Sequence, residues 1–345
     1  MRAALTQWLC CPDCAGALDL RVEATEGAHV MSGSLACEGC GASYPVTRGV
    51  PRLNRQIAPL IGVAQAFSYE WKLHHRGALE TGTLYGWTAE QDWRMLCRAL
   101  DVSDDELVGQ VVLDAGCGSA RFTQQLGEHG VAAAIGVDIM EAVDDAFLAC
   151  RDLAHVHIVQ ANIGALPFRS QTFDYIWCRG VLHHTPDPAA GHRALSGLVK
   201  PGGTLYVWVY ARRFNPFRFV KDVLDAIGVT RLPLPALFAI CKAIAYPSLV
   251  ALTLYRAVRA LPGLRASGAR QQRTVRARGL REVQLTWFDA LAPQFDSRHT
   301  EAEVIGWFQR TGFERIVALD EPKIGVRGVA AQPRSADASA SRAGR

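Results

Sequence analysis

Val111-Val-Leu-Asp-Ala-Gly-Cys-Gly-Ser-Ala-Arg-Phe-Thr123 runs from an apolar stretch into a tight Gly-x-Gly turn. A second apolar stretch ending on an acid, Gly136-Val137-Asp138, follows at the distance of one βαβ crossover. Val111 to Leu113 reads as a buried parallel strand, Gly116 and Gly118 let the backbone approach a ligand, and Asp138 stands where a carboxylate accepts both hydroxyls of a ribose. The stretch therefore predicts a nucleoside-cofactor site on a doubly wound α/β sheet. A phosphate-binding loop is excluded, because no Gly-Lys-Ser/Thr follows the glycines to hold phosphate and magnesium. A dinucleotide fingerprint is excluded as well: the third glycine is out of place, and Asp114 precedes the first by two positions.

Asp114-Ala-Gly116-Cys-Gly118 resembles motif I of the class I S-adenosylmethionine-dependent methyltransferases. Three further segments agree with that family in order and spacing. Gln160-Ala-Asn-Ile-Gly-Ala-Leu-Pro-Phe168 resembles its adenine-binding segment. Phe173-Asp-Tyr-Ile-Trp-Cys-Arg-Gly-Val-Leu-His-His184 resembles the fourth strand and its loop, and Lys200-Pro-Gly-Gly-Thr-Leu-Tyr-Val-Trp208 the turn into the fifth. The likeness covers roughly residues 105–212, with the tail of the fold near 283–330. It implies a Rossmann-like seven-stranded sheet, S-adenosylmethionine as cofactor, and Asp114, Gly116, Gly118, Asp138, Asn162, Ile163 and Arg179 as residues that hold it. Two positions depart from the family pattern. Ala120 replaces the third motif glycine, which a helix start tolerates with slightly less room. Asn162 stands where Asp is common, and either its amide oxygen accepts from the adenine amino group or it caps the next turn.

The amino terminus carries a second pattern. Cys11-Pro-Asp-Cys14 and Cys37-Glu-Gly-Cys40 are two C-x2-C knuckles separated by enough chain for a β-hairpin, so that Cys11, Cys14, Cys37 and Cys40 can close tetrahedrally on Zn(II). Cys10 adjoins the first knuckle, but the Cys-Pro-x-Cys pattern favours Cys11. With the continuation Tyr44-Pro-Val-Thr-Arg-Gly-Val-Pro-Arg-Leu53, the segment resembles the Trm112-like zinc ribbon, which occurs fused ahead of methyltransferase domains. Four thiolates leave no open coordination position, so the metal is expected to be structural.

Between ribbon and motif lies an aromatic-rich stretch holding Tyr69, Trp71, Tyr85, Trp87 and Trp93. The resemblance implies a helical flap in which Tyr69 and Trp71 contact the cofactor's sulfonium; core packing is the other reading, and the one favoured for Trp93. Since this cofactor arrives activated, the protein must mainly align a nucleophile and exclude water, with a base needed only if the nucleophile loses a proton. His183 and His184 follow the fourth strand at the edge where the acceptor meets the methyl group, and stand as base or as pocket-shaping residues. Near the carboxyl end, 285–300 reads as a polar and aromatic loop ahead of an amphipathic helix capped by Thr300. Asp289, Arg298 and His299 are candidates there for orienting the acceptor, His299 also as a catalytic group.

The 345 residues are 49% apolar and 20% charged, which excludes a fibrous or disordered chain. The net charge of +4 conceals an asymmetry: residues 212–282 hold fourteen Arg/Lys against three Asp/Glu, a local +11. This points to an anionic partner such as lipid headgroups, a pyrophosphate carrier or RNA. Dispersed cysteines and the lack of a leader-like opening predict a cytoplasmic protein. The expected organisation is a zinc ribbon over 1–58, a helical cofactor-lid segment over 59–110, a methyltransferase domain over 111–330 with a helical insertion over 211–282, and a disordered tail over 331–345. Leu234 to Tyr255 is almost continuously apolar. Lys242 and Pro247 argue against its spanning a membrane, and Pro247 is expected to break its helix. The insertion is read as a lid over a greasy acceptor, as peripheral membrane contact through 213–262, or as packing in a homodimer. Methyl transfer to a small, hydrophobic or lipid-linked acceptor is the resulting expectation. An RNA methyltransferase is the main rival, and a cofactor-binding scaffold without catalysis another; nucleic acid is disfavoured because the insertion interleaves arginines with aliphatic helices rather than with stacking aromatics.

Overall fold

The computed structural model describes residues 1–55, 57–75, 88–212, 216–260, 279–321 and 323–332. Tyr85, Trp87 and the tail beyond residue 332 lie outside them.

Residues 18–51 form a four-stranded antiparallel sheet of β1 (Leu18–Glu26), β2 (His29–Cys37), β3 (Ser43–Thr47) and β4 (Val50–Pro51). A seven-stranded sheet follows, built from β5 (Val111–Ala115), β6 (Ala133–Asp138), β7 (Val156–Gln160), β8 (Phe173–Arg179), β9 (Val199–Val209), β10 (Phe313–Leu319) and β11 (Ile324–Ala330). Its order is β10-β11-β9-β8-β5-β6-β7, parallel except for β11, which runs antiparallel to both neighbours. β5 and β6 are buried along nearly their whole length, as strands covered on both faces must be. The chain leaves β5 toward β6 on one side and returns as β8 on the other, so the carboxyl ends of β5 and β8 flank the switch point where this architecture binds ligands.

The ribbon is docked, not tethered. Leu9 bridges Phe168, Arg52 bridges Gln160, and Leu53 donates to the Gln160 carbonyl at 2.8 Å. Leu5, Leu35, Tyr44 and Leu53 share one apolar core with Ile135 and Val159 of the large sheet and with Phe168 between β7 and β8. A separate helix layer, α1 (Ile61–His75), α2 (Ala89–Leu100) and α3 (Asp104–Leu107), precedes β5. Thr88 and Gln91 cap α2 reciprocally. As expected, Trp93 packs: its ring stacks on His129 and its N–H donates to Asp104. The crossover helices are α4 (Arg121–Glu128), α5 (Val143–Cys150) and α6 (Pro188–Ser196).

After β9 come α7 (Pro216–Ala226) and the long α8 (Leu234–Ala260); α9 (Leu280–Leu291) and α10 (Glu301–Arg310) lead into β10. Thr300 caps α10 through Glu303, as expected. Two expectations fail. Pro247 does not break α8. The bond it cannot donate belongs to the carbonyl four residues back, on Ala243, which like Pro247 faces solvent; Ser248 meanwhile donates its hydroxyl to Ile244. Residues 285–291, expected as loop, are helical, because Val283, Trp287, Phe288 and Leu291 fall on one face and bury against Leu237, Cys241 and Ala245 of α8.

Candidate active site and metal centre

At the carboxyl edge of β5 the chain turns through Gly116 (φ 87°) and Gly118 (φ 55°). A side chain at Gly116 would put its Cβ 2.1 Å from Val181, and one at Gly118 would meet the Trp71 indole at 3.0 Å. Only glycine fits this turn. Ala120, expected simply to start a helix, adopts the left-handed conformation (φ 65°) and caps α4, so it occupies a glycine-type backbone position with a methyl group. Asp138 ends β6 and accepts from the Gly118 N–H at 2.9 Å and the Met140 N–H at 3.1 Å. Its burial raises its pKa, and those N–H groups oppose the rise. Burial likewise pushes Asp114 up to about 7, against the Thr123 hydroxyl that donates to it at 2.7 Å.

Asp114, Gly116, Gly118, Asp138, Met140 and Val181 line a cavity of about 740 Å³. Of the residues singled out in the sequence, Trp71, Asp114, Gly116, Gly118, Asp138, Asn162, Ile163, Arg179, His184, Asp289 and Arg298 border it. Asn162 also caps its turn, accepting from the Gly164 N–H at 2.9 Å. Tyr69, His183 and His299 stand elsewhere. Tyr69 packs its ring against Phe238 and Phe288, two positions round α1 from Trp71. His299 is held by Ser297 and lies edge-on to Trp307. His183 is completely buried, stacked on Tyr210, and burial holds its pKa well below the usual range. His184 differs: its Nδ1 lies 2.8 Å from the Phe295 carbonyl, which can only accept, so Nδ1 carries the proton and Nε2 is the basic nitrogen.

The cavity has a second end. Ser248 and Leu252 of α8, Val283, Thr286 and Trp287 of α9, and Tyr210 wall it, with Tyr210 donating to Asp289. Lys221 and Arg298, both on the lining, pair with Asp296. Asp92 and Arg121 form an ion pair on the cofactor side. Neither was singled out in the sequence. Arg121 lies within the quoted stretch and could have been found there, whereas Asp92 sits on an amphipathic helix where an acid reads as solvated.

In the ribbon, the Sγ atoms of Cys11, Cys14, Cys37 and Cys40 all lie within 4.8 Å of one another, with Cys11–Cys40 at 3.6 Å and Cys14–Cys37 at 3.4 Å. Tetrahedral zinc with bonds of about 2.3 Å requires sulfurs about 3.8 Å apart, so the donor set fits. Cys10 is turned away, its N–H donating to Pro167. The Tyr44 hydroxyl bridges Cys11 Sγ (3.2 Å) and Asp13 (2.9 Å), and Arg55 pairs with Asp13, an outer shell that orients a ligand.

Residues 113–207 match the family model described as "Methyltransferase domain", and residues 2–49 the one described as "Trm112p-like protein". The chain carries a methyltransferase domain behind a Trm112-like ribbon. The cofactor of the methyltransferase domain is S-adenosylmethionine, and the ribbon's four cysteines suit structural zinc. The ubiquinone biosynthesis O-methyltransferase of Coxiella burnetii (strain Dugway 5J108-111) is 33% identical over 115 residues, 33% of this chain and 49% of that protein. That of Pseudomonas paraeruginosa (strain DSM 24068 / PA7) is 32% identical over 137 residues, 36% of this chain and 54% of that protein. The chain thus spans about half the length of the curated relatives it matches. Among solved structures, a complex between the Haloferax volcanii Trm112 methyltransferase activator and a putative methyltransferase aligns over 77% of this chain and 98% of its own, with 15% identity and a TM-score of 0.44.

Proposed function

We propose that this chain transfers a methyl group from S-adenosylmethionine to a hydroxyl of a small hydrophobic or lipid-linked acceptor, as a cytoplasmic enzyme of specialised or cell-envelope metabolism. One observation carries the reading: a single cavity joins the glycine turn and Asp138 to a chamber walled by α8 and α9, where Leu252, Val283 and Trp287 stand beside Lys221, Asp289 and Arg298, with His184 on its lining. The printed names of the curated relatives support oxygen as the acceptor atom. Reduced cysteines throughout the described residues agree with the compartment.

S-adenosylmethionine supplies a methyl group already activated on a cationic sulfur. Asp138 would take the ribose hydroxyls, Asn162 and Ile163 would border the adenine, and the Asp92–Arg121 pair would meet the charged amino-acid end. Trp71 covers the glycine turn and keeps water from the reacting centre. At the far end Leu252, Val283 and Trp287 hold the acceptor by its apolar body. His184 takes the hydroxyl proton on Nε2 while the Phe295 carbonyl holds Nδ1–H, so the imidazole is poised in the productive tautomer.

Incubating the zinc-loaded full chain with methyl-labelled S-adenosylmethionine and separate lipid, RNA and protein fractions tests the reading. Label in the lipid fraction, stable to mild acid as an ether is, is the expected result. Label in RNA overturns the acceptor class, and cofactor binding without label in any fraction overturns catalysis.

A further inference from the structure

We infer that the outward face of α8 docks this chain on the surface of an anionic bilayer, seating against lipid the same helices that wall the acceptor end of the cavity. The inner face of α8 is committed: Leu237, Cys241 and Ala245 are buried against α9. On the outer face Tyr246, Val250, Leu254 and Val258, each four residues from the last, are 55%, 60%, 62% and 51% exposed. Ile227, at the end of α7, is 69% exposed. Such a row of large apolar side chains is unusual on a surface that meets only water. The segment Leu234–Tyr255 is long and apolar enough to cross a membrane, yet the burial of its inner face on α9 and the exposed Lys242 fit a helix lying in the interface plane.

Charge selects the occupant. Residues 256–281, continuous with the apolar row, contain eight arginines and no acid. An anionic lipid surface satisfies both features at once, drawing the arginines to headgroups and the apolar row to the acyl boundary. A second copy of the chain offers no counter-charge, since its insertion carries the same excess of arginine. RNA would engage the arginines and leave the aliphatic row in water, without the stacking aromatics such binding uses. Leu252 lines the cavity between Val250 and Leu254, so one helix presents one side to the bilayer and the other to the acceptor chamber. The docking stands whatever the acceptor proves to be.

Co-sedimentation of the zinc-loaded full chain with vesicles of equal phosphatidylcholine and phosphatidylglycerol tests it, against the double variant Val250→Asp/Leu254→Asp. Neither residue borders the cavity. The expected result is binding that weakens on pure phosphatidylcholine and in high salt, and that falls roughly tenfold or more in the double variant. Cofactor affinity by calorimetry and zinc content should match the parent, showing that the variant is folded. Three results would overturn the inference: no binding of the parent to anionic vesicles, equal binding by parent and variant, or a dimer in light scattering that the same substitutions dissolve. Should the variant lose cofactor binding, the milder Val250→Ser/Leu254→Ser pair replaces it, and undiminished vesicle binding there overturns the inference equally.

Discussion

His184 donates its Nδ1 proton to the carbonyl oxygen of Phe295, 2.8 Å away, and that bond leaves Nε2 as the basic nitrogen of a residue on the cavity lining. The neighbouring His183 stacks on Tyr210 and has neither ring nitrogen hydrogen-bonded among the described contacts. Adjacent in sequence, the two histidines are separated in role by the short helical turn at Leu182–His184, which sends one ring into the core and the other to the cavity.

His184→Gln should therefore lower kcat by about a hundredfold to ten-thousandfold, the usual worth of a positioned base, while leaving the cofactor dissociation constant within about threefold of the parent. His183→Phe should keep kcat within about tenfold, because it exchanges one buried ring for another. Steady-state rates with the labelled donor decide it; equal losses in both variants would remove the distinction.

Gly116→Ala combines a forbidden φ with a Cβ 2.1 Å from Val181. It should cost about 2 kcal/mol or more of stability and abolish cofactor binding. Pairing it with Val181→Ala removes the clash but not the backbone strain, so denaturant melts should show only partial recovery. Complete recovery would mean that the turn tolerates a side chain.

His192 is wholly buried beside Phe308, and burial lowers its pKa to about 3. As pH falls below the ordinary histidine value of about 6.5, the unfolded chain takes up a proton that the native chain refuses, so this residue subtracts stability down to the native pKa. His192→Leu has no such site. Relative to the parent it should gain about 3 kcal/mol between pH 7 and pH 4, read from denaturant melts at each pH. A gap independent of pH would show that His192 is protonated in place.

Removing zinc, or substituting Cys37→Ser, should melt more than the ribbon. Leu35, Tyr44 and Leu53 share a core with the large sheet. A loss of several kcal/mol would lower the melting temperature of the whole chain by roughly 5–10 °C. Metal analysis and a single shared thermal transition check this, whereas an early ribbon transition with the main one unmoved would contradict it.

Legibility in the sequence followed locality. The glycine turn, the strand-terminal Asp138 and the two cysteine knuckles each fit within a few residues, and the seven-stranded order follows once the strands are recognised. The sequence offered the insertion as a lid, but not the residues that wall the second end of the cavity, because Ser248 and Leu252 of α8 meet Val283, Thr286 and Trp287 of α9 from far apart in the chain. Thr286 and Asp289 made 285–291 read as a polar loop, masking the helical spacing of Val283, Trp287, Phe288 and Leu291. Tyr69 and Trp71 looked equivalent until α1 was oriented; two residues turn a helix by about 200°, placing one ring against Phe238 and the other over Gly118.

Isothermal titration of S-adenosylmethionine into the full chain and into Asp138→Ala asks whether Asp138 and the Gly116–Gly118 turn hold that cofactor. The parent should bind stoichiometrically and the variant roughly tenfold to hundredfold more weakly, the worth of charge-assisted hydrogen bonds to a diol. Equal affinity in the two proteins, or no heat from the parent, would contradict that assignment.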